Sequence, residues 1–355
     1  MGTPVTPIQP GIAAALAAAV LFGSGTPLAK ALLDHTGAWL LAALLYLGSG
    51  IGLWLVRRLR ASPGVSLSRN DWGWLAGAIV SGGMLGPVLL MTGLAAMPAS
   101  GAALLLNAEV VFTALLAWFV FRENFDARIA LGMFAIVAGA VVLAWPADNS
   151  PGFASVWPAL AVLTACFAWA VDNNLTRKVA FADASWIAMI KGLVAGATNL
   201  VLAFSLGAQW PGSATVLGAA LIGFLSYGAS LVLFVVALRH LGSARTGAYF
   251  SVAPFFGAAA ALAVLGEPMT MQLFAGAALM AVGVALHLTE RHEHAHAHAE
   301  LMHTHEHEHG TGDLHHEHAH DAPVPPGTRH SHPHLHLPLT HSHNHFPDMH
   351  HRHGH

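Results

Sequence analysis

The chain is 355 residues long, 55% hydrophobic and only 9% charged, where soluble domains carry roughly a quarter charged residues. That composition excludes a soluble globular protein, and a formal net charge of −3 without a basic stripe excludes a nucleic-acid-binding surface. A single cysteine, Cys166, allows neither an intramolecular disulfide nor a cysteine-based zinc site.

A membrane-crossing helix needs about 20 mostly apolar residues. After an N-terminal segment, 1–10, ten such stretches follow: 11–32, 37–56, 73–93, 99–121, 128–145, 157–174, 184–205, 215–238, 244–265 and 270–288. The expected organisation is five spans in 11–145, a linker at 146–156, five spans in 157–290 and a tail at 291–355. Arginine and lysine are retained on the cytoplasmic side. They fall in alternate loops: Arg57, Arg58, Arg60 and Arg69, then Arg122 and Arg128, then Arg177 and Lys178, then Arg239 and Arg245. This ladder predicts cytoplasmic N and C termini, in a bacterial inner membrane.

The chain also aligns with itself. An offset of 144 residues brings Leu94 onto Leu238, Phe112 onto Phe256, Glu123 onto Glu267 and Gly139 onto Gly283, and an offset of 147 brings Phe22 through Lys30 onto Trp169 through Arg177. A repeat of five spans inverts the second half in the membrane, a geometry suited to alternating access around a midplane site. The fold class expected is therefore an all-α integral membrane protein, with ten transmembrane helices as two inverted five-helix repeats and a disordered histidine-rich tail.

Ten spans as five plus five, Leu21-Phe22-Gly23 with Lys30 after it, and Phe112-Thr113-Ala114 running into Arg122-Glu123 resemble the drug/metabolite transporter superfamily of EamA type. Ala253-Pro254-Phe255-Phe256 and Gly266-Glu267-Pro268 carry the same resemblance in the second half. Val110 stands where the second half has Pro254, and the tail has no counterpart in the family pattern. The resemblance implies a secondary transporter, not an enzyme, that moves small organic metabolites or drugs.

Ionisable groups inside spans cost at least about 2.5–3.5 kcal/mol each and mark candidate sites. Glu109 lies mid-span with Thr113 one turn along the same face, placed for substrate or coupling-ion binding, while nearby Asn107 reads as an interhelical hydrogen-bonding group. Asp172, Asn173 and Asn174 cluster in the sixth span and Lys191 in the seventh. Lys30 is a gate candidate beside Asp34, and Tyr227 and Tyr249 could line a cavity. Gly23, Gly25 and Pro27 are expected to break or loosen the first span, with Pro254 doing so in the ninth. Glu123 and Glu267 read as clamps at helix ends.

The tail holds 23 of the 26 histidines. Neutral imidazoles bind Zn, Ni, Co or Cu, and an alternating tract brings several to one ion. Candidate ligands are His292, His294, His296 and His298; His303, His305, His307 and His309; His315, His316, His318 and His320; His330, His332, His334 and His336; and His341, His343 and His345. No other cofactor is required. The partners expected are the lipid bilayer and a small-molecule or ion substrate, with a homodimer left open. A divalent-metal efflux or metal-regulated transporter, and a non-transporting membrane metal sensor, are the alternatives.

Overall fold

Hydrocarbon offers a backbone no hydrogen-bond partners, so apolar runs of this length close their own bonds as helices. The computed structural model describes residues 10–62, 64–65, 67–121, 127–146, 155–179 and 183–288, and in the tail the strands at 293–298, 301–308, 329–336 and 339–344. In chain order the helices are α1 (Pro10–Leu33), α2 (Ala38–Leu59), α3 (Arg69–Ala78), α4 (Gly86–Ala95), α5 (Ala99–Leu105), α6 (Ala108–Phe121) and α7 (Ala127–Ala144). The second half contributes α8 (Trp157–Thr176), α9 (Ala184–Ser205), α10 (Ser213–Gly223), α11 (Ser230–Phe250), α12 (Ala253–Leu265) and α13 (Met271–Leu288).

Among the described residues, six stretches are long and apolar enough to cross a membrane: Pro10–Leu33, Ala38–Leu59, Asp71–Ala95, Ala99–Leu116, Ala184–Ser205 and Ser213–Ala237. Arg128–Ala144, Ala253–Leu265 and Met271–Leu286 are shorter apolar helices. Helix α8 occupies the sixth expected span and carries the Asp172-Asn173-Asn174 cluster. Outward-facing side chains are themselves apolar, including Ile51, Leu55, Phe134, Val141, Val201 and Leu217, a surface suited to lipid.

Three boundaries differ from the sequence expectation. The fourth span is interrupted: α5 ends at Leu105 and α6 starts at Ala108, with Leu106 and Asn107 in a turn. The expected loop carrying Arg239 and Arg245 lies inside α11, which continues to Phe250 because no proline intervenes before Pro254. There the missing N–H and the ring restrict the preceding backbone, and α12 begins with Pro254 in its first turn. The third and eighth spans each contain a π-helical stretch, Ile79–Leu85 between α3 and α4 and Phe224–Ala229 between α10 and α11.

Equivalent elements recur along the two halves. An offset of 144 residues carries α7 onto α13 from end to end and the turn at Asn107 onto Ser251, and the two π stretches begin 145 residues apart. The packing follows the same correspondence. Helix α2 packs on its counterpart α9, and α7 on α13, while α1 crosses α11 and α12 as α8 crosses α4 and α6. Backbones touch closely in the α2–α9 seam, where a methyl added at Gly192 would lie 2.8 Å from Gly50 N. Such small-residue contacts let helices pack tightly in lipid, which supplies no hydrophobic drive between them.

The tail, Glu290–His355, is a separate compact unit. Its histidine alternation has the two-residue period of a strand. Strand β1 (Glu293–His298) pairs antiparallel with β4 (Leu339–Asn344), and β2 (Leu301–Glu308) with β3 (Arg329–His336). Strands are confined to this unit among the described residues.

Candidate functional site

Positions 169, 172, 173 and 176 share one face of α8, by the spacing of a helix, and that face meets the first half of the chain. Trp169 Nε1 donates to Gly82 O at 2.8 Å, and Tyr46 OH of α2 donates to the same carbonyl at 2.9 Å. Gly82 lies in the first π stretch, where the altered backbone repeat leaves carbonyls for side-chain donors. A Cβ at Gly82 would come within 1.9 Å of Asp172 Oδ2, so this position must be glycine for the carboxylate to sit there.

Asp172 is 5% exposed and is paired with Lys191 of α9, whose Nζ donates to Oδ1 at 2.6 Å and to Oδ2 at 2.5 Å. Thr176 Oγ1 adds a third hydrogen bond, at 2.8 Å to Oδ1. One residue along, Asn173 Nδ2 donates to Glu109 Oε1 at 2.8 Å, with Thr113 Oγ1 at 3.5 Å. Asn174 Nδ2 reaches the Thr113 carbonyl at 3.4 Å and Ala170 O at 2.9 Å. Glu109 sits in the first turn of α6, immediately after the break, and within electrostatic range of Asp172 and Lys191. Five of the sequence candidates, Glu109, Thr113, Asp172, Asn173 and Lys191, therefore form one cluster between the halves.

Tyr227 borders the same region through aromatic contacts, 5.8 Å from the Tyr46 ring and 6.0 Å from Phe22. Tyr249 does not join it and packs with Leu233 and Val236 against the Ala14, Ala15 and Ala237 core. Lys30 does not pair with Asp34 at hydrogen-bonding distance. Its Nζ donates to Leu94 O at 2.6 Å and Ala95 O at 3.1 Å, closing the end of α4. Beside it Glu267 caps α5, accepting from Ala99 N at 2.6 Å, Ser100 N at 2.9 Å and Ser100 Oγ at 2.5 Å. These groups border a separate pocket of about 390 Å³. Arg122 and Glu123 lie outside the described residues, as do His292, His309, His315, His316, His318, His320 and His345.

The first-span helix-break candidates do not break it: α1 runs from Pro10 to Leu33 through Gly23, Gly25 and Pro27. The glycines serve close approach instead. A Cβ at Gly23 would lie 2.1 Å from Ala253 O, and one at Gly25 would lie 2.8 Å from Ser226 Cβ. Pro254 stands at the start of α12, just after the interruption. Asn107 donates to Leu104 O at 3.0 Å and approaches Met280 Sδ of α13 at 3.9 Å, closing the turn of the fourth span.

Four groups escaped the sequence reading: Tyr46, Gly82, Trp169 and Asn199. Asn199 is 1% exposed, two turns beyond Lys191 on α9, with Nδ2 facing Met84 O at 3.3 Å and Gly83 O at 3.5 Å. A polar residue inside an apolar span was its available signal, and the Gly82-Gly83 doublet was that of the π stretch. Among the described residues of the helical body, no three of the histidines, cysteines, aspartates and glutamates gather to hold a metal ion. Cys166 is buried and donates to Leu105 O at 3.6 Å.

Several apolar spans enclosing a small cluster of paired charge define a multi-pass integral membrane protein. The EamA-like transporter family matches residues 9–145 and again 156–289. The chain belongs to that family, one copy in each half, and the family points to a membrane transporter. It is 28% identical over 290 residues to an uncharacterized transporter of Methanothermobacter thermautotrophicus strain Delta H, covering 77% of this chain and 84% of that protein. A solved crystal structure aligns with a TM-score of 0.57 at 22% identity, covering 77% of this chain and 95% of the other, a likeness of fold.

Proposed function

We propose that the chain is a secondary transporter that exports small organic metabolites or drugs by alternating access. Its two halves form an inverted repeat of ten spans, with both termini in the cytoplasm of a bacterial cell. The observation that carries this reading is the placement of Glu109–Asn173 and Asp172–Lys191, which bridge α6, α8 and α9 where the halves cross. Each charged group there is held by a partner that a substrate could replace. A cationic group could take Glu109 from Asn173, and an anionic group or a proton could release Lys191 from Asp172. Exchange at Glu109–Asn173, the pair that joins the two halves, couples occupancy of the site to contact between them, while Asp172–Lys191 ties α8 to α9 within the second half.

The tail is proposed as a cytoplasmic segment that binds Zn, Ni, Co or Cu. The supporting feature is its composition, 23 histidines with interleaved acids.

The test expresses the full chain, a form ending at Arg291, and Glu109→Gln at matched membrane levels. It measures efflux of a panel of organic solutes together with cell-associated Ni, Co, Zn and Cu. Organic efflux lost in Glu109→Gln and retained without the tail supports the proposal. Metal lowered only by the full chain replaces it with metal export, and metal responses without any flux replace it with a sensor.

A further inference from the structure

The ends of three helices meet where α2 reaches Arg57. In the last turn of α2, Arg57 is in an ion pair with Asp183, the N-cap of α9. Trp186 of α9 in turn meets Trp72 of α3 edge-on, with ring centres 6.1 Å apart. Leu67, just before α3, packs with Trp186 against the Leu75, Ile79 and Ile187 core, so the connection from α2 to α3 stays at this corner.

Basic charge is in excess there. Arg57, Arg58, Arg60 and Arg69 stand against Asp71 and Asp183. Both acids are engaged in capping: Asp183 accepts from Ser185 N and Trp186 N, and Asp71 from Ser68 N. Arg57 is buried in its pair. Arg58, Arg60 and Arg69 are exposed, and among the described residues none of these three is in an ion pair.

The same corner is apolar on its membrane side. Trp54, Leu55 and Leu59 of α2 are exposed, as are Trp72 and Trp74 of α3. A spacing of four residues stacks Trp54 under Arg58 on one side of α2, and the Arg58 guanidinium carbon lies 6.0 Å from the Trp54 ring centre. The exposed surface thus passes from aromatic and aliphatic to cationic within one helical turn. That is the depth profile of a bilayer boundary, where tryptophan settles at headgroup level.

A phospholipid meets both parts of this surface. Guanidinium groups present paired N–H donors that fit a phosphodiester, and the rings and leucines suit an acyl chain. A free phosphate would use the arginines alone. Choline and ethanolamine headgroups carry a cation of their own that would face the arginines, so charge complementarity selects a headgroup of net negative charge.

We infer that the α2–α3 corner binds the headgroup of an anionic phospholipid, held by Arg58, Arg60 and Arg69 with Trp54 and Trp72 beside its acyl chains. In the topology proposed above this corner faces the cytoplasmic leaflet, whose surface is negative. The site does not depend on which solute the chain carries. Each arginine near such a surface contributes roughly a fivefold preference.

The experiment is native mass spectrometry of the full-length protein from neutral detergent, counting bound dioleoyl phosphatidylglycerol or dioleoyl phosphatidylcholine, with inorganic phosphate as competitor. The parent is compared with Arg58, Arg60 and Arg69 changed together to Gln, and with a charge-matched control, Arg122, Arg239 and Arg245 to Gln. Parent and control should bind phosphatidylglycerol about tenfold or more tightly than phosphatidylcholine, and the site variant should bind the two within about twofold. Phosphate at the lipid's concentration should displace nothing. No preference in the parent, a preference that survives in the site variant, or one lost equally in the control overturns the site. Displacement by phosphate overturns the lipid as occupant. The site variant should unfold at the parent's midpoint in lipid-free detergent, and a collapsed midpoint would make these arginines structural and overturn the assignment.

Discussion

The chain uses the same crossing twice and fills it differently. Where α8 of the second half meets the first half, the contacts are Trp169 with Gly82, Asp172 against Gly82, and Asn173 with Glu109 and Thr113. The sequence offsets carry these residues onto Phe22, Gly25, Thr26, Ser226, Ala253 and Gly257. In that second crossing Phe22 meets Tyr227, Gly25 meets Ser226, and Gly23 abuts Ala253 and Gly257. One crossing holds charge and amides, and the other brings backbones into contact. Matched positions in the two crossings thus hold a polar cluster in one and close backbone packing in the other, the difference resting on which side chains occupy them.

Breaking the polar crossing should have the largest effect. The side chains of Lys191 and Asp172 are 17% and 7% exposed, so removing one partner strands a buried charge. Asp172→Asn or Lys191→Met alone should cost about 3–5 kcal/mol, read as a lowered unfolding midpoint in detergent, while the double substitution should regain most of that loss. Transport should fail in all three. A double variant no more stable than either single one would show that the pair does not act as a unit.

The close-packed crossing should break by sterics instead. Gly23→Ala puts a methyl against the Ala253 carbonyl, forcing α1 and α12 apart at about 1–3 kcal/mol, with no rescue by charge changes at Asp172 or Lys191. A thermal midpoint within error of the parent would show that this contact yields freely. A smaller effect belongs to the Gly82 carbonyl, which has two donors. Tyr46→Phe or Trp169→Phe alone should cost about 1 kcal/mol, and the two together more than their sum, because the carbonyl then lacks both donors. Strict additivity in a double-mutant cycle would show that the donors act separately.

Much of this contrast was legible in the sequence. Apolar runs separated by arginines located the helices, and the 144-residue offset located the repeat. Glu109, Asp172 and Lys191 stood out because charge in a span demands a partner. Periodicity could not show that the fourth span is interrupted at Asn107, since both sides stay apolar, nor that α11 runs through its arginines. Gly23, Gly25 and Pro27 read as breakers because local propensity favours a break, yet α1, packed against α12 and the second π stretch, continues as a helix through them. Tyr46 and Trp169 were invisible for another reason: their partner is a backbone carbonyl exposed by a π stretch, which no side-chain pattern reports.

A polar tie at the Arg57 end of the α2–α9 seam offers the mildest test. Arg57 Nη1 lies 3.0 Å from Asp183 Oδ2 and donates to Ser185 Oγ at 2.6 Å, while Asp183 caps α9 by accepting from Ser185 N at 2.8 Å and Trp186 N at 3.2 Å. Burial pushes the Asp183 carboxyl upward, but hydrogen bonds from Ser185, Arg57 and Trp186 outweigh it and hold the group below the usual carboxylate range. A depressed carboxylate stabilises the fold fully above its unfolded value, about 3.9, and loses that contribution as pH falls through the lower folded value. Asp183→Asn should therefore lower the unfolding midpoint slightly at pH 7, and the difference from the parent should shrink below about pH 4. The same small difference should persist in a Gly23→Ala background and in the Asp172→Asn/Lys191→Met background, because Asp183 is held by Arg57, Ser185 and Trp186, none of them substituted there. A difference that grows on acidification would assign the tie to some other group than the Asp183 carboxylate.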